Sequence, residues 1–249
     1  MNIVNKKIED LVDENYVYAS VLYYFGIKFY DYSEKTLEEV CNEKGLNVNT
    51  VICSLESVSS SSSDSKLSLI SFPVDLVIEY LKHSHYIFIK QKLPYIAKLI
   101  ESLPLKKTEH LLIIQDLKLV FPLFVEDFIH HIYEEEDSLF SYILLLYKAV
   151  DGIKNPTKIF YAMEAHSLQD FATEHEHNDD EMKGLRSITH NYSLVPENDL
   201  HLKVIFAELK SFEENLTSHA RIENEILFPK ALELEKEIKK NLAKKIKLN

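Results

Sequence analysis

Apolar residues recur every three or four positions along most of this chain, and the recurrence predicts helices. The stretch "PVDLVIEYLKHSHYIFIKQKLPYIAKLIESL" (residues 73–103) predicts one long amphipathic helix with a kink or bend at Pro94. A second runs from about Asp116 to Val150. A third covers "NPTKIFYAMEAHSLQDFATEHEHNDDEMKGLRSITHNY" (155–192), opening near Pro156, and a fourth runs from about Asn198 to Lys240. Four amphipathic helices with modest connections predict an all-α fold, an up-down four-helix bundle. Ahead of them stand three shorter helical patterns. "NYVYASVLYYFG" stops at Gly26, "SEKTLEEVCNEKG" opens at a Ser33 cap and stops at Gly45, and "NVNTVICSLESV" follows. "SVSSSSSDSKLS" (57–68) buries nothing and reads as a linker. The expected organisation is a small helical domain over 1–56, a Ser-rich linker over 57–71 and the bundle over 72–249.

Composition changes this picture little. Four glycines and seven prolines leave few turns, which suits long helices. A net charge of −12 argues against nucleic acid as a partner, since phosphate binding needs a clustered basic surface. The basic tail "KEIKKNLAKKIKLN" complements the C-terminal dipole of an acidic helix. No run of 18 apolar residues exists and the first ten residues have no apolar signal core, so no membrane partner is expected. Cys41 and Cys53 form neither a CxxC nor a disulfide framework, which fits a reduced, cytoplasmic setting.

The chemistry lies in a device that occurs twice. "HIYEEEDSLFSY" places His131 four residues before Glu135. "HARIENEILFP" places His219 four residues before Glu223, with Leu-Phe again four residues after the glutamate. Residues four apart share a helix face, and both faces are apolar, with Phe124, Phe128 and Leu139 in one case and Phe212, Leu216 and Ile226 in the other. A lone HxxxE is usually a surface pair. Two inward glutamates, each costing several kcal/mol if uncompensated, ask for cations. Imidazole and carboxylate from facing helices suit a pair of iron ions, with manganese or zinc as competitors. Symmetry then asks the first and third helices for a histidine each. His85 has the more apolar neighbours than His83, and His175 has them where His177 sits among Asp180 and Glu181. His110, between the first two helices, is a further candidate or a loop residue. No Gly-rich phosphate loop and no Ser–His–Asp arrangement is evident.

"EHEHNDDEMKGLRSITHNY" followed by "FEENLTSHARIENEILFPKAL" resembles the hemerythrin-like domain of the Repair of Iron Centres family. The resemblance spans most of residues 73–235. It implies a centre of two iron ions, bridged by oxo and carboxylate groups, that serves the repair of iron–sulfur clusters after nitrosative or oxidative stress. Its partners would be damaged iron–sulfur proteins and the small gases NO and O₂, and dimerisation is left open. The family's HxxxE pairs fall on His131/Glu135 and His219/Glu223, and its third-helix histidine falls on His175. Its first-helix ligand, seven residues before "LP", falls on Tyr86, so His85, His83 and Tyr86 all stay open there. His110 lies three residues past the spacing of the family's next ligand. "VLYYFGIKFYDYSEKTLEEVCNEKGLNVNTVICSLE" resembles the small ScdA-like domain that precedes the bundle. Where the family carries adjacent cysteines this chain has Tyr30 and Asp31, which leaves thiol chemistry without its residues there. The same resemblance also admits a hemerythrin-like module that binds or senses O₂ or NO. Conventional enzymatic turnover is not expected.

Overall fold

The computed structural model describes residues 3–15, 17–29, 31–59, 69–105, 110–150, 152, 155–178, 180–193 and 199–247, with the backbone alone at 17, 20, 58–59, 174–178 and 244–247. Among these residues all regular structure is helical, apart from one isolated bridge between Lys7 and Thr36. In chain order the α-helices are α1 (Ile8–Glu14), α2 (Val17–Tyr24), α3 (Leu37–Lys44), α4 (Val48–Ser59), α5 (Val74–Ile87), α6 (Leu93–Ser102) and α7 (Leu111–Glu134). They continue with α8 (Ser141–Val150), α9 (Pro156–Ala165), α10 (Leu168–Asn178), α11 (Lys183–Ile188), α12 (Leu200–Ile222) and α13 (Phe228–Lys247). None is long and apolar enough to cross a membrane.

The chain divides into two compact units. One comprises residues 1–64, 92–122 and 184–213, and the other 65–91, 123–183 and 214–249. In the first, α3 begins at Thr36 and not at the expected Ser33. The reason is reciprocal hydrogen bonding: the Glu39 N–H donates to Thr36 Oγ1, and the Thr36 N–H donates to Glu39 Oε2 at 2.8 Å. Only a start at Thr36 places a glutamate three residues on. The helix ends where expected, at Gly45, whose φ of +66° is the left-handed conformation that glycine adopts freely.

The first unit also buries a carboxylate. Glu208 on α12 is almost fully enclosed, with Lys92 Nζ 4.0 Å away, and burial pushes its pKa up to about 7. An unfolded glutamate titrates at the model-peptide value of 4.5. Between these values the folded chain holds the extra proton, so stability falls as pH rises through the interval. The penalty is complete above neutrality and on the order of 3 kcal/mol. Glu208→Gln is therefore expected to be more stable than the wild type at pH 8, by roughly 1–3 kcal/mol, with the gap closing toward pH 5. Urea unfolding at the two pH values checks this.

The second unit builds its core from Val77, Ile78 and Leu81 of α5, Ile143 and Leu146 of α8, and Ala231 and Ile238 of α13. Tyr142 lies in it and donates its hydroxyl to Glu235 Oε1 at 3.0 Å; burial first, then the carboxylate, raises its pKa. The expected third long helix is broken into α9, α10 and α11. His166 is extended, and Ser167 Oγ accepts the Asp170 N–H at 3.1 Å, so a local cap starts a new helix where periodicity alone would continue the old one. Among the described residues three π-helical turns interrupt the α pattern, at Phe88–Lys92, Glu135–Phe140 and Glu223–Leu227. Pro94 is therefore preceded by a π turn and sits at the second position of α6; Pro229 does the same in α13. A missing N–H costs least at a helix start.

Candidate metal centre

Two of the π turns begin at the paired glutamates. The Phe228 N–H reaches back five residues to the Glu223 carbonyl, and Ser141 Oγ donates to the Glu136 carbonyl at 3.0 Å. A π turn holds one residue more than an α turn, and such turns concentrate at functional sites. On α5, His85 continues the buried stripe of Val77, Ile78 and Leu81. Tyr86, which the resemblance's spacing from "LP" reaches, is 56% exposed and His83 is also exposed, whereas His85 is buried.

His85, Glu135, His219 and Glu223 converge. All four are buried, and one ligand atom of each lies within 4.8 Å of the others. His85 Nε2 is 2.9 Å from His219 Nε2 and 3.5 Å from Glu135 Oε2, and His219 Nε2 is 3.4 Å from Glu223 Oε1. Phe140 stacks on the His85 ring and Phe88 meets His219 edge-on, which restricts both imidazoles. His85 Nδ1 donates to Glu136 Oε1 at 2.9 Å, because an ionised carboxylate only accepts. That bond leaves the Nε2 lone pair of His85 facing His219, where a proton or a cation is needed between the two nitrogens. Burial first, then the facing His219, pushes the His85 pKa down, toward the neutral imidazole that binds metals.

His131 stands at the rim, its side chain 40% exposed. Its Nε2 lies 3.3 Å from Glu135 Oε1 and 3.4 Å from Glu181 Oε1. His175 falls on α10, but its side chain lies outside the described residues. His110 immediately precedes α7 and belongs to the other compact unit. His130, one residue from His131, points outward to Glu134. Glu136 and Glu181 were not anticipated. Glu136 is hidden in the run "EEED", and Glu181 lies in "NDDEM", whose charges suggest a solvated turn.

The residues present fit a metal. Separations of 3.3–3.5 Å between nitrogen and carboxylate oxygen recur four times and exceed the 2.7–3.2 Å of a good hydrogen bond. Two donors about 2.1 Å from one ion, and 90–110° apart, stand roughly 3.0–3.4 Å from each other. That spacing admits an ion, and since the exposed His130–Glu134 pair shares it, what marks the cluster is the convergence of four buried donors, with the Glu136 bond to His85 as the outer support typical of metal-ligating histidines.

With this geometry the family match is intelligible. Residues 77–231, more than half of the chain, match the Hemerythrin HHE cation binding domain, and the chain belongs to that family. The domain is a metal-cation-binding one, and His85, Glu135, His219 and Glu223 form the group that could hold an ion. No curated protein matches the chain.

Proposed function

We propose that the chain holds two iron ions and, in the cytoplasm, helps to restore iron–sulfur clusters damaged by nitric oxide or oxidants. The observation that carries this reading is the position of Glu135. Its Oε2 faces His85 at 3.5 Å and its Oε1 faces His131 at 3.3 Å, so one carboxylate addresses two histidines from opposite edges. A bridging role for Glu135 follows, with Glu223 completing the inner position beside His219. His131, His175 and His110 belong to the candidate ligand set on sequence grounds.

Iron held by these imidazoles and carboxylates would supply a coordination position for NO or O₂ and an ion that can be released. The chain's own residues decide which prevails. Phe88, Phe128, Ile132 and Leu216 line the pocket and keep water from the inner histidines, while the exposed His131 opens it to solvent. Repair by iron release uses that opening, and the client would be a damaged iron–sulfur protein.

A second reading, a module that binds or senses O₂ or NO, is favoured by the absence of the adjacent cysteines, Tyr30 and Asp31 standing in their place. One experiment separates the two. Iron-loaded protein is mixed anaerobically with an enzyme whose [4Fe–4S] cluster has been damaged by NO. Repair predicts recovery of that enzyme's activity, lost in Glu135→Ala. Reversible oxygen-dependent spectra without recovery would point to sensing.

A further inference from the structure

The two sides of Glu135 are chemically unequal. On the inner side stand two imidazoles and Glu223, all buried. On the outer side stand His131 and, from the turn between α10 and α11, Glu181. One His131 nitrogen has a carboxylate oxygen of Glu135 at 3.3 Å and one of Glu181 at 3.4 Å. The exposed His130–Glu134 pair has the same spacing, so distance alone does not mark a ligand; His131 differs in meeting two carboxylates at once, both on the pocket that holds the inner cluster. Glu181 lines the same pocket as His85, Glu135, His219 and Glu223, and its side chain is three-quarters covered.

We propose that Glu181 is a ligand of an outer metal position, shared with His131 and Glu135, so that the two ions are held unequally. This rests on the two-ion reading above. The inner position is nitrogen-rich, enclosed and tight. The outer one has one nitrogen and carboxylate oxygens, lies open to solvent and exchanges its ion. Carboxylate ligands come from the harder end of the donor scale and select less strongly among divalent transition metals than imidazoles do. The outer ion is therefore the one the protein would give up. If Glu181 and His131 merely paired on the surface, removing Glu181 would leave the number of bound ions unchanged.

Metal-free protein titrated anaerobically with ferrous iron, in competition with a chromophoric chelator, tests this. The wild type should take up two ions, the second at least tenfold more weakly. Glu181→Ala should keep the tight ion and weaken the second by at least a further tenfold. Glu181→His, which restores a donor at the same place, should bring the second ion back. Thermal unfolding of the metal-free variants checks that the fold is intact. Uptake of two ions by Glu181→Ala with wild-type affinities overturns the role of Glu181 and leaves the two-ion reading standing. A wild type that binds one ion or none overturns both.

Discussion

Glu223→Gln should cost the protein its tightly held ion, at least a hundredfold in affinity, and yet make the metal-free protein more stable. The two effects have one cause. The Glu223 side chain is 1% exposed and close to His219, His85 and Glu135. An ionised carboxylate in such a place costs several kcal/mol unless a cation compensates it. The amide keeps the shape and removes the charge. Without metal it should stabilise the fold by roughly 1–2 kcal/mol; with metal it removes a ligand. Metal analysis and chemical unfolding of both forms check the two signs. His130→Ala is the control, because His130 is exposed and pairs with Glu134. Equal metal loss in that variant would mean that the inner cluster is not the site. A metal-free Glu223→Gln less stable than the wild type would mean that the buried carboxylate is satisfied without an ion.

Adding a transition metal to the metal-free protein should raise its melting temperature by roughly 10 °C. An ion that binds only the folded chain stabilises it by about 4 kcal/mol at a thousand times its dissociation constant. In a chain of this size each kcal/mol moves the midpoint by about 2–4 °C. The ligand atoms come from α5, the π turns at Glu135 and Glu223, and α12, which are far apart in sequence. The unfolded chain therefore has no comparable site. Iron, manganese and zinc should all produce a shift. Magnesium should not, because it takes oxygen ligands and two inner donors are imidazole nitrogens. A shift with magnesium equal to that with iron would indicate binding to the acidic surface alone.

The amphipathic helices and the paired His–Glu device are legible in the sequence because both depend on one local rule, the 3.6-residue period. Glu135 and Glu223 stand out as charged residues on apolar stripes, and such residues need a partner. Tertiary geometry is less legible. The π turn at Phe88–Lys92 inserts one residue, and only Pro94 nearby hints at it. His85 is legible without it, because it continues the buried stripe of Ile78 and Leu81 on α5. The division of the third helix follows from Ser167 outcompeting a continuing period, and the start of α3 from Glu39 choosing between two possible caps. Glu136 and Glu181 belong to acidic runs in which every member looks alike until the backbone aims one of them inward.

The most direct measurement is the metal content of the protein after anaerobic loading with ferrous iron and removal of unbound ions, together with X-ray absorption at the iron edge. The account predicts close to two irons per chain, with a first shell of nitrogen and oxygen at about 2.1 Å and a shell lost in Glu223→Gln. Iron no higher in the wild type than in that variant would contradict it.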